Sequence, residues 1–428
     1  MSSLLWTSLF AAALVGSLAA RAWLAWRQMR HVARHREEVP VAFRASITAD
    51  AHRKAADYTL AKAQFGLWQM LFGAVVLLGW TLFGGLDVLN AALLDRIGLA
   101  WNGLAYQLAL IAAFSIVGGL LDLPFALYAT FVLEQRFGFN RLTWRLWLAD
   151  AAKGVALAVA IGLPIAALVL WIMAATGRFW WLWAWAAWMA IVFAAQVLVP
   201  TVIAPWFNRF EELKDTSLAE RIEALMQRAG LSASGLFVMD GSRRSAHANA
   251  YFTGFGRAKR VVFFDTLLAR LAPAEVEAVL AHELGHFKLR HIRKRLVAMA
   301  AVTLAFLALL GWLATRAWFY TGLGVTPNLG APNDALALLL MLLAAPVFTL
   351  AATPLFAYWS RRDEFEADAF ACAQADGRDL ARALLKLHED NAATLTPDPL
   401  YARFYYSHPP AVERLAALTG RTVQAAPS

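Results

Sequence analysis

Seven stretches of this chain are each apolar over about the 20 residues that a helix needs to cross a bilayer, and this pattern constrains the fold most. They run approximately Leu4–Trp26, Phe65–Leu86, Ile97–Leu121, Gly154–Thr176, Phe179–Val199, Leu296–Thr315 and Ala335–Trp359. Hydrocarbon offers no partner to a backbone N–H or C=O, so each span must satisfy its own groups as a helix. Composition removes the soluble alternative. Of 428 residues, 60% are hydrophobic and 16% charged, against about 45–50% and about 25% in an ordinary soluble domain. The expected class is a mainly α, polytopic membrane protein. The first span could be read as a signal peptide, with Ala20-Arg21-Ala22 as a loose cleavage site. No cation precedes its apolar run, however, and Arg21 and Arg27 follow, which favours a retained anchor with its N-terminus outside.

Charge orients the set. The formal net charge is +9, and its cations crowd two loops. Arg27, Arg30, Arg34, Arg36, Arg44, Arg53, Lys54 and Lys62 follow the first apolar run, and Arg136, Arg141, Arg145 and Lys153 follow the third. The positive-inside bias puts both loops in the cytoplasm, and alternation puts residues 209–295 and the tail after Arg361 there too. Anionic lipid headgroups therefore explain the basicity, and no recognition module points to nucleic acid. The single cysteine, Cys372, excludes an intrachain disulfide and reads as a small packed residue.

The expected organisation is a five-span membrane region over 1–208, a polar insert over 209–295, two more spans over 296–360 and a polar C-terminal segment over 361–428. The insert opens with an amphipathic helical pattern from Leu218 to Arg228. Short strand patterns follow at 235–239, 250–252 and 260–264, with Gly254 and Gly256 before the last, predicting a small β-sheet. Helical character resumes at Pro273, suited to a first turn, with Glu275 and Glu277 near the positive end of the helix dipole. The end after about Arg421 reads as frayed.

That last helix carries His282-Glu283-Leu284-Gly285-His286. Positions four apart share a helix face, so both imidazoles can reach one zinc ion, while Glu283 stands beside the open position and can take a proton from water there. With nine histidines in the chain, such a pentapeptide arises by chance in roughly one chain of this kind in a hundred. Val276, Leu280 and Leu284 give the helix a buried stripe, unlike a freely solvated helix. A catalytic zinc needs a third protein ligand, and Ser360 to Asp368 supplies a candidate just past the last span. On a helix Glu364 and Asp368 share a face; Glu364 can bind the metal while Asp368 fixes the tautomer of a ligand histidine. Glu366 falls about 200° round the helix and points away. Lys288, Arg290, Arg293, Lys294 and Arg295 follow the histidine pair, so the site is not inside a span but at or in a cavity open to water.

With these residues assembled, the chain resembles the type I CAAX prenyl protease family, integral-membrane zinc metalloproteases that process prenylated proteins. The resemblance extends over nearly the whole chain. It rests on Phe137-Gly138-Phe139-Asn140, Pro205-Trp206-Phe207-Asn208, Asn249-Ala250-Tyr251-Phe252, the zinc motif, Ser360 to Asp368, and Ser407-His408-Pro409-Pro410 with Glu413-Arg414-Leu415. It implies seven transmembrane helices enclosing a water-filled chamber, with a gluzincin-like protease domain and one zinc ion per chain held by His282, His286 and Glu364. It also implies substrate contacts at Asn249, on a strand edge that can hold an extended peptide, and at His408, which can stabilise an oxyanion. Arg414 is added to the substrate-binding set. Asn249 as a turn residue and His408 as a helix-start cap remain the plainer alternatives.

The implied partners are a peptide or protein substrate, lipidated in the best-known case, and membrane lipids. Richness in Ala, Arg and Trp suggests a bacterial inner-membrane protein, and Val423 to Ser428 is unlike an ER-retrieval signal. Bacteria generally lack CAAX prenylation, so fold and chemistry transfer more safely than substrate. Two rivals stay open: a quality-control protease for damaged membrane proteins, and a transporter or receptor carrying a structural zinc. The latter fits poorly, because closed structural sites usually take four protein ligands.

Overall fold

A computed structural model describes residues 1–231, 235–253 and 260–419. Among the described residues, seven helices are long and apolar enough to cross a membrane: Ser3–Arg34, Ala49–Trp80, Leu104–Glu134, Trp144–Ala175, Gly177–Phe207, His291–Leu313 and Asp334–Gln374. Trp68, Val75, Trp183 and Val297 lie exposed on their outer faces, while Phe10, Leu110, Leu310 and Leu340 are fully buried between them. This is the expected mainly helical, polytopic architecture.

The borders differ where hydropathy carries no information. The second span starts at Ala49, well before the apolar run, because Thr48 caps it by accepting the Ala51 N–H at 3.2 Å. Its polar first half is simply helix outside the apolar zone. The expected third span began at Ile97, but Gly85–Ile97 forms a short separate helix, entered through Gly84 at φ +75° and left through Gly98 at φ +65°. Left-handed backbone stops a helix however apolar its flanks are. The helical path of the seventh span continues past Trp359. It passes through one 3-10 turn at Leu350–Ala352 into the helix Thr353–Gln374, which carries the proposed third ligand.

The insert packs a four-stranded sheet, β1 (Phe210–Glu212), β2 (Gly235–Met239), β3 (Ala250–Thr253) and β4 (Arg260–Phe264), in the order β1-β2-β4-β3. β2 and β4 run parallel; the outer pairs are antiparallel, leaving β3 at an edge. The three-residue β1 was too short to signal itself. Gly254, Gly256 and the tail beyond Arg421 fall outside the described residues. Helices Thr216–Arg228 and Pro273–Lys288 share a core with the sheet, in which Ile222, Leu225, Val261, Phe263, Val276, Leu280 and Leu284 are buried. Cys372 is not packed as expected but exposed, on the outer face of Thr353–Gln374.

Polar clamps join the sheet to the membrane region. Arg244 bonds both oxygens of Asp150 at 2.9 and 3.0 Å and Asn208 at 2.9 Å, and Asn140 bridges to Ser245. On the other flank Arg27 bonds Asp398 at 2.9 and 3.3 Å, while Phe43 packs with Leu395 and Ala411. The two basic loops, the sheet and the C-terminal segment thus lie on one side of the bundle, the parity that alternation required.

Candidate metal centre and active site

The helix Pro273–Lys288 turns His282 and His286 to the same face, with their Nε2 atoms 3.2 Å apart. Opposite them stands Glu364 on Thr353–Gln374. Its Oε1 is 3.2 Å from His286 Nε2 and its Oε2 is 3.4 Å from His282 Nε2. His282 is 7% exposed and Glu364 3%, so the three groups meet in an almost dry place. One donor atom from each lies within 4.8 Å of the others.

That arrangement fits a cation. Glu364 Oε2 is buried and has no hydrogen-bond partner, a costly state for an anionic oxygen unless a positive charge offsets it. Two imidazole nitrogens and one carboxylate oxygen form the donor set of a catalytic zinc with an open fourth position. The surrounding bonds aim the ligands. Asp368 Oδ1 stands 2.8 Å from His282 Nδ1, which leaves Nε2 as the nitrogen facing Glu364. Arg414, 7% exposed, forks onto Asp368 with Nε at 2.8 Å and Nη2 at 2.5 Å, and its Nη1 is 3.6 Å from Glu364 Oε2. Arg414 therefore sits behind His282, where its charge steadies two carboxylates.

Glu283 follows His282 on the same helix and is half-buried. Burial pushes its carboxyl above the ordinary carboxylate value, while the histidine pair opposes the shift. A desolvated carboxylate is a stronger base than a solvated one, which suits a group that must take a proton. Asn249 immediately precedes β3, is exposed, and accepts the Ala250 N–H at 2.8 Å. β3 lies along the ligand helix, with the rings of Phe252 and Phe287 5.5 Å apart. An edge strand in this position has backbone groups to which an extended peptide can add by hydrogen bonds.

His408 closes the site from the C-terminal segment, its Nε2 3.5 Å from Glu364 Oε1 and its Nδ1 3.1 Å from Ser407 Oγ. Its side chain is 67% exposed, but that surface lines a cavity of about 780 Å³. Enclosure there lowers its pKa, so the neutral ring is favoured. The first two spans supply Arg21, Gln28, Tyr58, Lys62 and Met70 to the walls.

Two features escaped the sequence reading. His388 lines the same cavity, and burial beside the Arg414 charge pulls its pKa down to about 4; nothing in its amphipathic helix marked it. Gly285, inside the motif, is where the two ligand helices touch. A Cβ there would lie 3.0 Å from Ala367 Cα and 3.1 Å from Ala367 O. Ala367 belongs to the turn between Glu364 and Asp368, so this close approach sets the distance from carboxylates to histidines. We expect Gly285→Ala to cost about 1–3 kcal/mol and Gly285→Val to abolish zinc binding. Thermal unfolding and metal content check this, and a wild-type profile for the valine variant would show that helix spacing does not govern the site.

Residues 28–209 match the family model described as CAAX prenyl protease N-terminal, five membrane helices, and residues 212–422 match peptidase family M48. The CAAX prenyl protease 1 of Saccharomyces cerevisiae is 32% identical over 96% of this chain and 95% of its own length. The Arabidopsis thaliana homolog is 38% identical over 78% of each chain. The crystal structure of S. mikatae Ste24p superposes with a TM-score of 0.89 at 30% identity, covering 96% of this chain and 99% of that one. With its seven spans and His-His-Glu centre, this chain belongs to the type I CAAX prenyl protease family of M48 membrane metalloproteases.

Proposed function

We propose that the protein is an endopeptidase with one zinc ion per chain, held by His282, His286 and Glu364, acting on membrane-associated peptides that include prenylated CAAX-type substrates. The observation that carries this is the convergence of those three groups beside a cavity walled by the first two spans and His408. A substrate whose end is lipid-bound can bring its peptide there without leaving the membrane.

Zinc, when bound, supplies Lewis acidity toward water and the scissile carbonyl. Glu283 takes the proton of the attacking water as the C–O bond forms, and returns it to the leaving amine nitrogen as the C–N bond breaks. His408 Nδ1 pairs with the Ser407 hydroxyl, and with its proton on Nε2 the ring stabilises the charge growing on the carbonyl oxygen. Asn249 and the free edge of β3 align the peptide, and Arg414 holds Asp368 against His282. The crowding of basic side chains on the site's side of the bundle supports a cytoplasmic opening, and the composition supports a bacterial inner membrane.

The test is cleavage by detergent-purified protein of a peptide panel with and without a C-terminal prenylcysteine, read by mass spectrometry beside Glu283→Gln. Cleavage near the prenylated end, absent in the variant, is the expected result. Equal cleavage of unmodified peptides would replace the CAAX-type preference with general membrane-protein clearance. No cleavage by zinc-loaded protein would overturn the substrate class.

A further inference from the structure

Asp368 orients one ligand histidine; the other has a different partner. The ligand helix ends at Lys288, and the chain turns through Arg290, whose φ of +61° lets the next helix begin at His291. This turn returns His291 to His286. Their Nδ1 atoms are 3.0 Å apart, and their rings meet edge to face with centroids at 5.1 Å. His291 is 1% exposed. Its Nε2 stands 3.1 Å from Glu366 Oε2 and 3.7 Å from Asp363 Oδ1. These carboxylates are themselves held: Asp363 by Arg295 at 3.2 Å, and Glu366 by Arg362 at 3.1 Å and Lys294 at 3.7 Å.

With zinc taking the lone pair of His286 Nε2, one arrangement of protons remains: the His286 proton is on Nδ1 and is donated to His291 Nδ1. That nitrogen is then the acceptor, and the proton of a neutral His291 lies on Nε2, facing two carboxylates. Each hydrogen bond finds its complement. We propose that His291 is a positioning residue for the metal centre, fixing the tautomer and ring angle of His286, with Glu366 and Asp363 fixing His291 in turn. A ligand histidine whose far nitrogen is anchored in this way binds metal more tightly. The same trio could be read as a second cation site. Against that, three basic side chains already neutralise its carboxylates, and the one lone pair of His291 is spent on His286.

This inference rests on His286 as a metal ligand, not on the substrate, so its test reads zinc affinity by chelator competition on the full-length protein in detergent. His291→Phe fills the volume but accepts no hydrogen bond, and should weaken zinc binding by about 10–100-fold. His291→Asn places an oxygen near the lost Nδ1 and should recover most of that loss. Wild-type affinity in the phenylalanine variant would overturn the proposal. So would equal weakness in both variants, which would mean packing alone. Two zinc ions per wild-type chain, one of them lost in His291→Phe, would overturn it in favour of a second cation site. Should the phenylalanine variant fail to fold, Glu366→Gln decides, being half-buried and isosteric: a smaller loss of zinc affinity is expected, and none would sink the idea.

Discussion

Glu283→Gln is expected to retain zinc at the wild-type level and to lower kcat by about 10²–10⁴-fold, the usual contribution of a positioned general base. The two halves of that result test different things. Glutamine has the shape of glutamate, and Glu283 feels its surroundings through burial and charge rather than through a hydrogen bond, so the replacement is structurally mild. His282, His286 and Glu364 keep their mutual distances, and metal content should not change. What disappears is the basic oxygen. Burial raises the basicity of Glu283, and no other carboxylate near the pair is free: Glu364 faces both histidines and Asp368 is forked by Arg414. Metal analysis alongside turnover of a cleavable peptide checks both halves. Full activity in a zinc-loaded variant would remove Glu283 from the mechanism. Loss of zinc would instead make it a ligand or a ligand's support.

Much of this was legible in the chain because the physics behind it is local. Spans announce themselves by apolar length, and a histidine pair four apart needs one helix turn to become a site. The convergence of Glu364 on the histidines was legible for a different reason: Glu364 and Asp368 lie four apart just past a span, on the side that charge bias had assigned to the histidines. What stayed hidden depends on long-range contact. Gly285 looks like a weak helix residue until Ala367 comes within 3.0 Å of its missing Cβ. His291 sits in a run of cations that marks only where the apolar span has yet to begin, and Glu366 does point off the Glu364–Asp368 face, as its angle predicted. Only the left-handed turn at Arg290 joins them and delivers the pair to His286. Helix borders failed for a local reason instead. Hydropathy has no term for a capping threonine or for a glycine at positive φ.

The loss expected from Glu364→Ala is larger still, because it removes the anion from the centre. Glu364 is 3% exposed and carries a buried oxygen without a hydrogen-bond donor, a state that a bound cation compensates. Without it, the two imidazoles remain beside Asp368, which Arg414 already pairs, and beside the Arg414 charge itself, whose Nη1 had stood 3.6 Å from Glu364 Oε2. The centre then holds a cation far more weakly. We expect zinc per chain to fall from one toward zero after dialysis at buffered free zinc, and activity to vanish with it. Stability supplies a second readout. A ligand held only by the folded state stabilises it by about 4 kcal/mol at a thousandfold excess over its Kd. Zinc should therefore raise the unfolding temperature of wild type and leave that of Glu364→Ala unmoved. The apo variant need not be less stable than apo wild type, since deleting a buried carboxylate with one oxygen lacking a hydrogen bond relieves a cost as well as leaving a small cavity. Its failure to respond to zinc is thus the diagnostic result. Unchanged zinc stoichiometry would move the third ligand elsewhere, with His408, 3.5 Å from Glu364, the first group to examine.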